Sequence, residues 1–274
     1  MDPPVISFLS DYGYRDEFVG VCHGVITRRC PAARVIDLTH AIPPYDLQTG
    51  AEVLRSSLPY MPAGVHLAVV DPNVGAVGAQ ARRAVALRTA EEDRLLVGPD
   101  NGLLMPAAEL FGGAIEAVDI GGSPERLEPV SRSFHGRDIF APVAGALAAG
   151  AVLGAVGEPL AVDGLRRLKL ASAQLGDGVL RAHVLRWDNF GNLILDADAE
   201  QLAALGVGLG ETMTVSHAGR NHTARYGSTF ADVPAGELLA YEDAQRMLAL
   251  AVNRGSAAEL LGAERGDELV VRPP

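Results

Sequence analysis

Val5-Ile6-Ser7-Phe8-Leu9-Ser10-Asp11 is a short, mostly apolar run that stops at a carboxylate. A run of that length without strict alternation fits a strand buried on both faces of a parallel sheet. The neighbouring segments support that reading. Asp16 to Arg29 has helical spacing, acidic in its first turn and basic in its last. Arg34 to Leu38 reads as a second strand, Leu47 to Leu58 as a second helix and Val65 to Asp71 as a third strand. Two further strands are expected at Ala84 to Arg88 and Arg94 to Val97. Strands alternating with helices imply a parallel or mixed sheet with helices on both faces. Ile139 to Gly157 carries no charge over 19 residues, but it is mostly Ala and Gly and contains Pro142. It reads as a small-residue helix packed on the sheet, followed by a turn, rather than as a membrane span.

The texture changes after about residue 170. Short alternating runs dominate, at Val179 to Trp187, Leu193 to Leu195, Glu211 to Ser216, Leu238 to Tyr241, Met247 to Val252 and Glu268 to Val271. Turn residues separate them at short intervals, the pattern of a small β-barrel or sandwich. The expectation is therefore an α/β chain in two domains. Residues 1–168 form an N-terminal α/β domain with a mostly parallel sheet, and residues 176–274 a smaller C-terminal β-barrel. The linker falls around Gly164 to Asp177. A chain of 274 residues is long enough for both cores.

Composition narrows the partners. At 48% hydrophobic and 21% charged residues the chain is globular. Twenty-three basic against 34 acidic residues give a net charge of −11, which argues against a protein that tracks nucleic-acid phosphates. Cys22 and Cys30 make neither a disulfide framework nor a CxxC clip and read as reduced thiols, so a cytoplasmic location is expected. Met1-Asp2-Pro3-Pro4 lacks the basic n-region of a signal peptide, and no membrane partner is expected.

Polar residues gather at the strand ends of the first domain. Asp11 and Asp71 end strands, and Asp100 lies in Gly98-Pro99-Asp100-Asn101-Gly102 after another. Ligands of open α/β sheets bind outside the carboxyl ends of strands, so three carboxylates converging on one crevice is one reading. The other is that Asp forms turns and caps helices. His135, in Phe134-His135-Gly136-Arg137-Asp138, either faces a ligand at a helix start or packs at a domain seam. Trp187-Asp188-Asn189-Phe190-Gly191-Asn192 offers an aromatic ring with amide and carboxylate groups, suited to a heteroaromatic base or an amino-acid head; the bland reading is a β-turn beside a core Trp. His23, His40, His66, His183, His217 and His222 show no metal-ligand spacing and read as structural, so no metal is expected. There is no GxxxxGK[ST], no GxSxG and no HExxH.

Taken jointly, the segments Phe8 to Gly13, Val70 to Gly75, Gly98 to Gly102, Phe134 to Asp138, Asp188 to Asn192 and Ala251 to Ser256 resemble, in order and approximate spacing, the S-adenosylmethionine hydroxide adenosyltransferases. That family is related to the bacterial fluorinase and chlorinase. The resemblance spans almost the whole chain. It implies an α/β domain followed by a β-barrel, a homotrimer with active sites at subunit interfaces, and attack of water or hydroxide on C5′ of S-adenosylmethionine with methionine leaving. No cofactor is implied, since S-adenosylmethionine is the substrate. The family's Asp–Arg–His set falls on Asp71, Arg82 and His135. Family members usually carry the Arg seven residues after the Asp. Here Ala76 to Ala81 intervene and Arg82, the first of an Arg82-Arg83 pair, arrives eleven residues on. The halogenases lack the Asp at position 71.

The resemblance also carries substrate contacts. Asp11 corresponds to the carboxylate on both ribose hydroxyls, and Asp16 to an acidic residue near the methionine or ribose side. Tyr45 sits where the fluorinase has an aromatic over the substrate. Asp188 matches the carboxylate for the methionine ammonium, and Asn192 an amide that reads adenine; the turn before Asn192 is one residue shorter than in the fluorinase. Phe230 would stack on adenine, with the backbone of Val252 and Arg254 on its edge. Two other functions remain open from residues alone: a halogenase taking chloride, and a binder of S-adenosylmethionine or adenosine without turnover.

Overall fold

The computed structural model describes residues 2–170 and 172–274. Met1 and Ala171, the latter inside the expected linker, lie outside them. The chain divides into two compact units, Met1–Lys169 and Leu170–Pro274.

The first unit runs β1 (Val5–Ser10), α1 (Phe18–Arg29), β2 (Arg34–Thr39), α2 (Leu47–Ser57), β3 (Val65–Val69), β4 (Ala84–Thr89), β5 (Leu95–Pro99), α3 (Met105–Glu109), β6 (Ala114–Asp119), α4 (Ala141–Ala148), α5 (Leu153–Val156) and β7 (Glu158–Leu160). Its seven strands lie in the order β2-β1-β3-β5-β4-β6-β7. β2, β1, β3 and β5 are parallel neighbours, and β4 pairs antiparallel with both β5 and β6. β7 pairs antiparallel with β6, so five of the seven strands point one way. This is the mostly parallel sheet expected. Strand alternation sorts the core. Ile6, Phe8, Leu67 and Val69 pack with Cys22, Val25 and Ile26 of α1 and with the small residues of α4. Val70, one residue on, turns to the other face and meets Gly50 of α2, which packs against α3. α4 has a π-helical turn in front of it, Gly136–Phe140, and its Gly145 seats directly on Ile26 and Arg29 of α1.

The second unit runs β8 (Gln174–Gly176), β9 (Val179–Trp187), β10 (Leu193–Leu195), α6 (Ala199–Ala204), β11 (Thr212–His217), β12 (Arg220–Tyr226), β13 (Leu238–Glu242), β14 (Leu248–Val252), α7 (Ala257–Leu261) and β15 (Glu268–Arg272). Strands β10-β14-β13-β12-β11-β15-β9 lie side by side in that order, and β9 pairs back to β10, closing a seven-strand barrel with β8 hung on β9. Closure leaves no free edge in the ring. Its core is filled by residues such as Leu180, Leu193, Val215, Leu250 and Leu269.

Candidate active site

β1 and β3 are parallel neighbours that end at the same edge of the sheet, so the residues after them emerge together. The Asp11 N–H donates to the Val69 carbonyl (3.3 Å), tying one strand end to the other. The Asp11 carboxylate accepts the Tyr45 N–H (3.0 Å). Burial pushes the Asp11 carboxyl up from its ordinary value; the Tyr45 N–H opposes this, and the charge of Asp71 adds a smaller upward push. Tyr45 holds a left-handed backbone (φ 68°) and leaves its ring exposed.

Asp71 opens the turn Asp71-Pro72-Asn73-Val74-Gly75. Gly75 has φ +69° and lies against the Arg132 carbonyl, where a Cβ would not fit, so only glycine serves there. The inserted segment then returns Arg82 to the strand end just before β4. Arg82 Nε donates to both Asp71 oxygens (3.0 Å each), and Nη2 donates to Oδ2 as well. The same Nη2 lies 2.9 Å from His135 Nδ1. Guanidinium has donors only, so His135 Nδ1 accepts and the imidazole proton sits on Nε2. Burial, and after it the positive charge of Arg82, hold the His135 pKa below 6.5, which keeps the ring neutral at pH 7. The Phe140 ring lies under the guanidinium (5.3 Å to the centroid).

Arg83 points elsewhere. Its Nε donates to Asp100 Oδ2 (2.8 Å), and the other Asp100 oxygen accepts the Arg166 N–H (2.8 Å). Asp100 is buried in this clasp, so two carboxylates, not three, meet at the strand ends. Asn101 braces them by donating to the Val70 carbonyl (2.8 Å). Asp16 is exposed in the segment before α1. An open cleft of about 620 Å³ adjoins the Arg82–His135 pair and is also lined by Arg83, Arg126, Glu128 and Ile139.

Two residues beside this set have no counterpart in the sequence reading. Tyr12 packs edge-on against Phe8, Phe18 and Phe134, and its hydroxyl abuts Gly136, where a Cβ would collide with it. Phe140 is the other. Their only sequence signals are that Tyr12 comes directly after Asp11 and that Phe140 closes the segment opened by His135.

In the barrel unit, Asp188 is drawn into its own turn. Its carboxylate accepts the N–H groups of Phe190 (2.8 Å) and Asn192 (3.0 Å) and the Asn192 side-chain amide (2.8 Å). Gly191 (φ +78°) lies on Ser256, joining this turn to the Asn253–Ser256 segment. Phe230 stacks obliquely on Tyr241 (5.1 Å). Burial pushes the Tyr241 hydroxyl up to about 12, with Asp188 adding to the effect, so Asp188, Phe230 and Tyr241 share one neighbourhood. The Val252 carbonyl accepts the Gly255 N–H (3.0 Å), and Arg254 is exposed with φ 59°. Trp187 and Phe190 are also exposed. Among the described residues, one group offers converging metal-ligand atoms: His23, Asp37 and His40.

An open α/β sheet with a part-buried Asp–Arg–His set at its strand ends, then a closed barrel carrying an aromatic and acidic turn, defines a two-unit enzyme that works on a small molecule. Family models narrow this further. The N-terminal domain of the SAM hydroxide adenosyltransferases matches residues 6–157 and the C-terminal domain matches residues 182–270. The chain belongs to that family. It is 48% identical over 268 residues to the (R)-S-adenosyl-L-methionine hydrolase of Salinispora tropica, covering 98% of this chain and 97% of that one. The hydrolase of the same name from Thermus thermophilus is 40% identical, over 95% and 96% of the two chains. A fluorinase of Nocardia brasiliensis is 30% identical, over 98% and 97%. Among solved structures, an uncharacterized conserved protein of Thermotoga maritima superposes with a TM-score of 0.89 at 34% identity, covering 97% of this chain and 99% of that one. No helix among the described residues is long and apolar enough to cross a membrane.

Proposed function

We propose that the chain hydrolyses S-adenosyl-L-methionine, as the (R) epimer at sulfur, to adenosine and L-methionine. The observation that carries this is Arg82, which bridges Asp71 and His135 in one part-buried hydrogen-bonded set. Asp71 keeps lone pairs for a water, and the neutral His135 offers Nε2–H as a donor, so a water between them is oriented from both sides. Sulfonium departs as a neutral thioether, so neither a general acid nor a cofactor is required. Proximity and alignment with the C5′–S bond supply several kcal/mol of the barrier reduction. Asp11 takes the ribose hydroxyls, with Asp16 and Tyr45 on the substrate's ribose and methionine side. Asp188 takes the methionine ammonium. Asn192, Phe230 and the backbone of Val252 and Arg254 take adenine. The protein acts as a homotrimer with sites at subunit interfaces, and its buried free Cys22 and Cys30 suit a reducing cytoplasm.

The test is turnover in ¹⁸O-water. Label in the adenosine 5′ oxygen and selective loss of the (R) epimer from an epimeric mixture are expected. Unlabelled adenosine, or 5′-chloro-5′-deoxyadenosine when chloride is added, overturns the assignment. Light scattering that gives a fully active monomer overturns the trimer.

A further inference from the structure

We propose that His23, Asp37 and His40 form a site for a divalent transition-metal cation of the zinc class, clipping the loop that carries Asp11. His23 comes from α1, Asp37 from β2 and His40 from just beyond β2, so the fold alone brings them together. His23 Nε2 lies 2.9 Å and His40 Nε2 3.0 Å from the same oxygen, Asp37 Oδ1. All three ligand atoms fall within 4.8 Å of one another.

His40 is the decisive member. It is 0% exposed, and its Nε2 makes no aligned hydrogen bond despite its distance from Asp37. The other ring nitrogen, Nδ1, is 2.7 Å from Ser10 Oγ. When Nδ1–H donates to that hydroxyl, the Nε2 lone pair faces the Asp37 carboxylate oxygen at 3.0 Å, two acceptors that a cation between them would take as ligands. The bond to Ser10 is the outer-shell bond that metal-ligating histidines make. Two imidazoles and one carboxylate suit zinc, cobalt(II) or iron(II), while magnesium and calcium take oxygen sets. Ligands at zinc distances stand about 3.3 Å apart in a tetrahedron, so each histidine–carboxylate pair opens by only a few tenths of an ångström. His23 and Asp37 side chains are 33% and 35% exposed, which gives the cation a way in and leaves a position for water.

The clip has a mechanical target. The His40 carbonyl accepts the Gly13 N–H (2.7 Å), the His40 N–H donates to the Tyr14 hydroxyl (3.0 Å), and Ser10 Oγ also accepts the Tyr12 N–H (3.3 Å). Fixing His40 therefore fixes residues 10–14, with Asp11 among them.

The experiment titrates Co²⁺ into the full chain after chelator treatment and monitors the ligand-field absorption, then adds Zn²⁺ in competition. One saturable Co²⁺ per chain, with the intensity of a four- or five-coordinate centre and displaced by Zn²⁺, is expected. Zn²⁺ should also raise the melting temperature. His23→Gln and Asp37→Asn, both partly exposed and able to fold, should lose the band and the thermal shift. Ser10→Ala should weaken binding by about ten- to a hundred-fold. His183→Gln, at the His183–Asp196 pair of the barrel, should change nothing. Absence of a saturable band in the wild type overturns the proposal, as does a band that survives in both His23→Gln and Asp37→Asn.

Discussion

Replacing Asp71 with Asn keeps the shape of the side chain and removes its charge. The Arg82 side chain is 3% exposed and that of Asp71 7%, so the substitution leaves a guanidinium buried without its counter-charge. Breaking one partner of such a pair costs about 3–5 kcal/mol. That is a sizeable share of a domain stability of about 5–15 kcal/mol, and it lowers melting of the N-terminal unit by about 6–20 °C. The single tryptophan, Trp187, lies in the barrel, so the N-terminal unit is better monitored by hydrogen exchange at β1 and β3 amides. At temperatures where the variant is folded, kcat should fall on the order of a hundred-fold or more while KM stays near wild type, because in the proposed role Asp71 orients the nucleophile and not the substrate. A second variant separates the two effects. Asp71→Asn with Arg82→Met replaces the pair by groups that bury no charge, so stability should return without kcat. An Asp71→Asn protein with wild-type melting and wild-type kcat would refute both the burial argument and the role. A rise in KM alone would make Asp71 a strand-end residue.

Asp11→Asn should raise KM about ten- to a hundred-fold with a smaller change in kcat, since the proposed charge-assisted hydrogen bond to ribose would be present in ground and transition states alike; steady-state kinetics with 2′-deoxyribose analogues checks it. Gly136→Ala drives a methyl into the Tyr12 hydroxyl and should destabilise by about 1–3 kcal/mol and cut kcat/KM; Tyr12→Phe in the same background should recover part of the loss in both denaturation and kinetics. His66 is buried, takes a hydrogen bond from Arg94 and has its pKa lowered to about 3 by burial and then by Arg94. Its ring protonates near 6.5 when unfolded, so the unfolded state binds more protons between pH 6.5 and about 3, and stability falls as pH drops through that window by roughly 1.4 kcal/mol per unit. Urea unfolding of wild type and His66→Gln across pH 7 to 4 should show a shallower decline in the variant.

The first sheet is legible because its central strands are short apolar runs. Val5 to Ser10 and Val65 to Val69 are almost wholly buried, so hydrophobicity alone marks them. β12, Arg220-Asn221-His222-Thr223-Ala224-Arg225-Tyr226, is a strand with only Ala224 buried, and its polar text gives no apolar face to read. It is held by its neighbours β11 and β13, a tertiary cause that propensity does not carry. β6 escapes the sequence reading for a similar reason, with Ile115 and Glu116 turned outward. The choice between Arg82 and Arg83 is open in the sequence because adjacent residues before a strand differ only in which face they take. The structure gives Arg82 to Asp71 and Arg83 to Asp100. His23, Asp37 and His40 have no motif spacing, and only the packing of α1 against β2 through β1 assembles them.

The hydrogen-bond inventory at the strand ends also limits what the histidine can do. Arg82 donates to Asp71 and to His135 Nδ1, and a guanidinium has no acceptor to offer in return. With Nδ1 occupied as an acceptor, His135 faces outward as a donor and is neutral, so it cannot take a proton at Nε2. In the proposed reaction the proton lost by an attacking water therefore goes toward Asp71, whose oxygens already accept from Arg82. That arrangement suffices when proton loss lags behind C–O bond formation. The electrophile permits that order: a sulfonium centre needs no activation, and the water becomes strongly acidic once its oxygen bonds to carbon. In the proposed reaction the set would hold a nucleophile in line and collect its proton late, so that orientation, and not basicity, is what the Arg82 bridge would supply.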